Sequence, residues 1–182
     1  VNTAEILALL RRYYRPPAWA FFLELRAGTG YNYNRLAWMK GSDRQNVERR
    51  LDAWAFHLWP SGGYRPTGFE VKVSRADFLH DVKTASKRAR YLALCQYFYY
   101  VTPKDLVRPD EVPPEAGLMY ATTSRLKVVK FPPERTIPQP EWDFFAAICR
   151  RVLREETERV GVPDVLTLEE VDGVPSRLQL SK

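Results

Sequence analysis

The stretch G-F-E-V-K-V-S-R-A-D-F, Gly68 to Phe78, sets an acid and an ammonium two residues apart in a run that is otherwise apolar at alternate positions. A strand alternates its faces with every residue, so Glu70, Lys72 and Ser74 share one side and Phe69, Val71 and Val73 the other. Upstream, Asp52 opens the aromatic and aliphatic segment Leu51 to Trp59, where an acid has poor strand propensity and costs desolvation unless something pairs with it. Two carboxylates on neighbouring strand ends form a hard-oxygen site for Mg²⁺ (or Mn²⁺), an ion that takes one or two protein carboxylates and keeps waters for phosphate exchange. The backbone carbonyl of Val71 could add an oxygen, and Glu24, near the end of another aromatic segment, a third acid. Lys72 would then hold or activate a water and stabilise charge building on phosphorus, the division of labour of metal-assisted phosphodiester hydrolysis.

Spacing alone has a second explanation. An acid-x-Lys triplet arises roughly once by chance in a chain of this size, and an ion pair of Glu70 with Lys72, or of Asp52 with Arg49, on a solvated sheet edge accounts for it equally. Asp81-Val82-Lys83 repeats the triplet, but within a helical segment, where positions i and i+2 point about 200° apart and cannot share a site.

The elements that must position these residues follow from periodicity. Ile6, Leu9, Leu10 and Tyr13 lie at helical spacing behind a Thr3 cap, and Pro16-Pro17 stop that helix. A strand is expected over residues 18–26, a short helix from Asp43 to Arg50 capped by Ser42, a second strand from Leu51 to Trp59, and a turn at P-S-G-G-Y-R-P-T-G into a third strand, Phe69 to Ser74. Ser74 begins S-R-A-D, a start in which its hydroxyl accepts from first-turn amides and Asp77 replaces the usual Glu, opening a helix to about Leu94. Cys95 to Thr102 reads as a fourth strand, with shorter ones at Gly117 to Ala121 and Arg125 to Phe131. Trp142, Phe145, Cys149 and Val152 mark a last amphipathic helix, Pro140 to Val160, expected to pack on the sheet. The order, α-β-β-β-α-β with additions, is an α/β layout with a mixed central sheet between helices.

At 182 residues with 45% hydrophobic side chains, the chain is sized for a single domain, 1–162, followed by a weakly patterned, acidic tail, 163–182. Its 28 Lys and Arg against 22 Asp and Glu leave a formal +6, which favours a polyanionic partner if the excess clusters, and otherwise serves solubility. Cys95 and Cys149 sit in apolar-periodic segments that suit buried thiols better than a bridge. With no signal pattern at the start and no run approaching the ~18 apolar residues of a membrane span, a soluble cytoplasmic protein is expected. Two histidines, His57 and His80, are too few for histidine-centred nuclease or zinc chemistry.

Together, Glu24, the R-R-L-D-A-W-A-F segment carrying Asp52, the G-F-E-V-K-V-S-R-A-D-F-L segment and Y-L-A-L-C-Q-Y-F-Y-Y-V-T-P resemble the PD-(D/E)xK nuclease superfamily. Within it the chain is most similar to the MmcB-like DNA-repair endonucleases and their phage relatives. The likeness runs from about Trp19 to Ala121 and includes E-V-P-P-E-A-G-L, 111 to 118, similar to an E-x-P-x-x-x-G-L run after the fourth strand of those proteins. It implies a restriction-endonuclease-like core, metal binding by Asp52 and Glu70, a catalytic Lys72 and an accessory acid at Glu24. Leu51 stands where the superfamily's name has proline, and the helix reads K-R-A-R-Y-L-A-L-C without the tryptophan of the repair-associated branch.

Lys83, Lys87 and Tyr91 recur every four residues on the expected helix, with Arg75 at its start, a face that could track DNA phosphates or simply be solvated. The expected activity is metal-dependent hydrolysis of DNA, with a catalytically inactive DNA-binding module of the same fold as the alternative. The oligomeric state stays open, a homodimer included.

Overall fold

In a computed structural model, residues 1–27, 49–84, 88–89, 92–140 and 142–160 are described. Helix α1, Thr3–Tyr13, is capped one residue before the expected Thr3: Asn2 Oδ1 accepts the Glu5 N–H at 2.9 Å while the Asn2 N–H donates to Glu5 Oε2 at 2.9 Å. This reciprocal box satisfies two end groups, which a Thr3 cap would not. Strands β1, Trp19–Ala27, β2, Arg49–His57, and β3, Pro66–Val71, follow, then helix α2, Arg75–Lys83, and strands β4, Tyr97–Pro103, β5, Gly117–Ala121, and β6, Leu126–Lys130. Helix α3 spans Trp142–Val160.

The six strands form one sheet in chain order, β1 to β6. The β1–β2, β2–β3 and β5–β6 pairs are antiparallel and the β3–β4 and β4–β5 pairs parallel. The chain is thus α/β, with a mixed sheet, as the element order implies. On one face Ile6 and Leu10 of α1 and its C-cap residue Tyr14 pack against Ala53, Ala55, Phe69, Val71, Tyr99, Val101, Met119 and Ala121. The residues between these in β2, β3 and β4 point to the other face, where Phe78 of α2 meets Tyr100 edge-on at 5.2 Å and Phe98 meets the same ring at 5.3 Å. Gly68 belongs to that face: a Cβ there would come within 2.9 Å of Cys95 Sγ, so only glycine lets the buried thiol approach β3.

Several boundaries differ from those expected. Arg49 and Arg50 are strand residues; the rest of the helix expected from Asp43, with its Ser42 cap, lies outside the described residues. Strand β3 ends at Val71 instead of Ser74. Ser74 occupies the N-cap position of α2 but makes no side-chain capping bond. Helix α2 stops at Lys83, where the Thr84 N–H turns back to the Asp81 carbonyl at 3.0 Å, so the helix expected to run to about Leu94 is broken there, with Arg88, Ala89 and Leu92 helical again beyond the break. The buried Arg88 guanidinium caps that end, its Nη1 donating to the Val82 carbonyl at 3.0 Å and the Asp81 carbonyl at 3.3 Å. A cation on the last carbonyls satisfies end groups and opposes the helix dipole.

The chain divides into two compact units, Val1–Ala147 and Ile148–Lys182, the second described only as the remainder of α3. The boundary expected at 162 and the tail 163–182 lie outside the described residues. At the start of α3, Trp142 and Phe145, expected to be buried, are 84% and 55% exposed. Phe144 is buried instead, edge-on to Trp54 at 5.6 Å. Apolar spacing defines a stripe, whereas the ring already present on β2 decides which residue of the turn is covered. Both cysteines are free, and burial pushes the Cys95 thiol up to about 12.

Phe69, fully buried between Tyr14 and Tyr99, anchors α1 to the sheet. Phe69→Ala is expected to lower stability by about 3–5 kcal/mol in urea unfolding. Phe131→Ala, at a side chain 78% exposed, should change it by less than about 0.5 kcal/mol.

Candidate active site

Glu70 and Lys72 do meet on one side: Lys72 Nζ donates to Glu70 Oε1 at 2.8 Å. Although β3 has ended, the Lys72 N–H still donates to the Val101 carbonyl at 3.0 Å, so the lysine keeps the strand's direction for one further residue. Asp52 is the fourth residue of β2, not its opening, and is half-buried. Its Oδ2 accepts the Val71 N–H at 2.8 Å, which ties the carboxylate to the end of β3.

The sheet register explains how these residues come together. The β2–β3 pairing, Trp54↔Gly68 and Ala53↔Phe69, carried one step further sets Asp52 across from Glu70. The β1–β2 pairing brackets Glu24 between Leu23↔Ala53 and Leu25↔Leu51, across from Asp52. On the other side Glu70 pairs with Tyr100 of β4. A polar row, Glu24, Asp52, Glu70, Tyr100, therefore crosses four strands. Glu24 is exposed and has φ of 50°, a left-handed conformation that side chains rarely adopt within a strand and that is held at a local cost.

Burial and neighbouring charge act together in this row. Glu70 is 4% exposed, and its pKa is pushed from 4.5 up to about 7, first by burial and then by the charge of Asp52, against the pull of Lys72. For Lys72 burial acts to lower the pKa, but Glu70, Asp81 and Asp52 outweigh it and hold the ammonium above its ordinary range. Glu70 Oε1 has the lysine, whereas Oε2 is buried with no hydrogen-bond partner among the described residues.

Asp81, set aside because of its spacing from Lys83, belongs to this cluster through Lys72 instead. It is 4% exposed, accepts the Tyr100 hydroxyl on Oδ2 at 2.6 Å, and has Oδ1 3.7 Å from Lys72 Nζ. The signals for it were its place three residues after Phe78, on the helix's buried side, and a tyrosine-rich β4 whose buried phenol needs an acceptor.

The expected DNA-contacting side chains are placed less completely. Arg75 forks onto Glu111, with Nη1 donating to Oε2 at 3.1 Å and Nη2 to Oε1, and Nη1 also reaches the Leu106 carbonyl at 3.2 Å. Its hydrogen bonds hold the Glu111 carboxyl down at about 2. Lys83 is exposed on the last turn of α2; Lys87 and Tyr91 lie outside the described residues.

Among the described residues no group of three or more His, Cys, Asp or Glu side chains is arranged to cage a metal. The donor set at Asp52 and Glu70 is nevertheless of the kind Mg²⁺ takes, two carboxylates with waters completing the shell. The orphaned Glu70 Oε2, beside a carboxylate whose charge raises its pKa, is the atom a divalent cation would satisfy.

No protein-family model matches the chain, and no curated protein does. A solved structure of a protein of unknown function from Silicibacter pomeroyi is similar, with a TM-score of 0.55 and 19% identity over 87% of this chain and 94% of that one. The likeness concerns the fold alone.

A carboxyl whose pKa is raised by folding binds its proton more tightly in the native state, so its contribution to stability is present below pH 4.5 and lost as pH rises through about 7. Without divalent ions, Glu70→Gln should therefore be more stable than the wild type at pH 8, by up to roughly 3 kcal/mol, and the gap should close towards pH 5. Unfolding in EDTA at the two pH values measures it, and a gap independent of pH would contradict the assignment.

Proposed function

We propose that the chain is a metal-dependent DNA endonuclease of PD-(D/E)xK type, with a restriction-endonuclease-like core and Asp52, Glu70 and Lys72 at its centre. The observation that supports this most is the buried, partnerless Glu70 Oε2 next to Asp52 and Lys72. Asp52 and Glu70 would hold Mg²⁺ or Mn²⁺, with the Val71 carbonyl and the exposed Glu24 at the margin. The bound ion would supply Lewis-acid polarisation of a phosphoryl oxygen and a more acidic water. The chain's own part is to fix and orient. The Val71 N–H locks Asp52, the strand end aims Glu70, and the Lys72 ammonium, kept charged by its acidic neighbours, can orient a water and face the negative charge that grows on phosphorus.

The formal charge of +6 suits a DNA substrate. Among the described residues no helix is long and apolar enough to cross a membrane. A cytoplasmic enzyme of DNA repair, or of phage and mobile-element DNA processing, is the setting that the resemblance to the MmcB-like endonucleases suggests. The second reading, a DNA-binding module without catalysis, is favoured by one distance: at 2.8 Å Lys72 and Glu70 already satisfy each other as an ion pair.

Purified protein incubated with supercoiled plasmid and Mg²⁺ or Mn²⁺ should nick it, and chelator should stop the reaction. Glu70→Ala and Lys72→Ala should each slow cutting by at least roughly 100-fold while DNA binding persists. Cutting that survives in both variants, or none by the wild type in either metal, would refute the nuclease reading. Salt-sensitive DNA binding that is indifferent to metal and to Glu70→Gln is the outcome that the second reading requires.

A further inference from the structure

Helix α2 buries only two side chains, Phe78 and Asp81. Phe78 is core packing, but a carboxylate 96% removed from solvent on a helix nine residues long is costly unless it is held in a specific arrangement. Among the described residues that arrangement is built from three sides. The Tyr100 hydroxyl donates to Oδ2 at 2.6 Å, and Lys72 Nζ stands 3.7 Å from Oδ1. The buried Arg88 guanidinium fixes the backbone carbonyl of Asp81 at 3.3 Å and is itself held by Glu115 Oε1 at 2.7 Å. Tyr100 is in turn clamped by ring contacts with Phe78 and Phe98, so the hydroxyl has little freedom to leave.

We infer that Asp81 is the positioning residue for Lys72, with Tyr100 and Arg88 holding Asp81 in place. The inference rests on the nuclease reading for its consequence, though not for its geometry. Lys72 lies between two acids, Glu70 at 2.8 Å and Asp81 at 3.7 Å, and the reading assigns Glu70 to the metal. Once Glu70 serves a cation, Asp81 is the acid left to restrain the lysine, so the ammonium stays beside the reacting phosphate without swinging to solvent. Asp81 touches neither DNA nor metal in this scheme; it acts through Lys72.

The test compares wild type, Asp81→Asn, Tyr100→Phe, Lys72→Gln and the Lys72→Gln/Asp81→Asn double variant, all as the full chain. Asp81→Asn should lower kcat for plasmid cutting by roughly 10- to 100-fold, with KM for DNA and Mn²⁺ affinity unchanged. Tyr100→Phe, which keeps the ring, should give a smaller loss of the same kind. In the Lys72→Gln background Asp81→Asn should cost nothing further, because its route to the reaction is already gone. An equal loss in both backgrounds, or a fall in Mn²⁺ affinity that matches the loss of rate, would overturn the inference.

Proton–nitrogen spectra of the lysine side chains supply a reading that needs no cutting. The Lys72 ammonium signal, assigned by its absence from Lys72→Gln, should shift or exchange faster with water in Asp81→Asn and in Tyr100→Phe. An unchanged signal in both would reject the role of Asp81 even if the enzyme cuts. A changed signal in a protein that never cuts would uphold the positioning and reject the nuclease reading alone. Should Asp81→Asn fail to fold, Tyr100→Phe decides both measurements.

Discussion

Lys72 stands between Glu70 and Asp81 on the second side of the sheet, with Asp52 close enough to act on it, and the burial of these charges governs how the region is built. Glu70, Asp81 and Asp52 all act to keep Lys72 charged, while burial acts to discharge it. The same burial, aided by Asp52, makes Glu70 reluctant to ionise. Buried ion pairs of this kind contribute little net stability, because desolvation offsets their Coulombic gain, and an apolar core of equal volume does as well or better. An arrangement that leaves a buried carboxylate oxygen, Glu70 Oε2, without a hydrogen-bond partner among the described residues is poor as a structural device, and the proposed cation would supply the partner.

The scaffold answers this constraint by anchoring each acid to backbone or ring. Asp52 is fixed by the Val71 N–H, Glu70 by its place in a strand paired on both sides, and Asp81 by a phenol wedged between two phenylalanines. The other face of the same strands carries the α1 core, so a shift of one residue in β3 would exchange Glu70 and Lys72 for Phe69 and Val71. The register that keeps the hydrophobic side buried is thus the register that assembles the polar row. Sites on regular elements hold their geometry more tightly than sites on loops, which is what the role proposed for Lys72 would require.

What the sequence reveals here is what its short-range periodicities encode. Alternation in 69 to 74 is enough to place Glu70 with Lys72, and the turn residues between Trp59 and Phe69 are enough to bring β2 back against β3, hence Asp52 to Glu70. The mixed sheet follows from element order. Asp81 was hidden because its partner is 9 positions away in the chain and on another element, so spacing within the helix carried no information about it. The break after Lys83 has a similar origin: it is set by Arg88 and Thr84 turning back on the last carbonyls, a tertiary choice that the helix-favouring residues on either side do not register. Asn2 instead of Thr3 as the cap, and Phe144 instead of Phe145 as the buried ring, are shifts of one residue that packing decides.

The remaining question is whether Glu70 and Lys72 are partners or colleagues, and the two oxygens of Glu70 are not equivalent in this respect. A lysine that merely neutralised a buried glutamate would need an environment with donors enough for both oxygens, since each unsatisfied one costs about 1–3 kcal/mol. Here Oε1 is satisfied and Oε2 is not, although the Val71 N–H, one residue along, is given to Asp52 instead. That donor spent on Asp52 aligns the second carboxylate with the first. It sets a second carboxylate beside Glu70, whose charge lifts the Glu70 pKa, and the proposed divalent ion would turn that repulsion into part of the attraction that holds it.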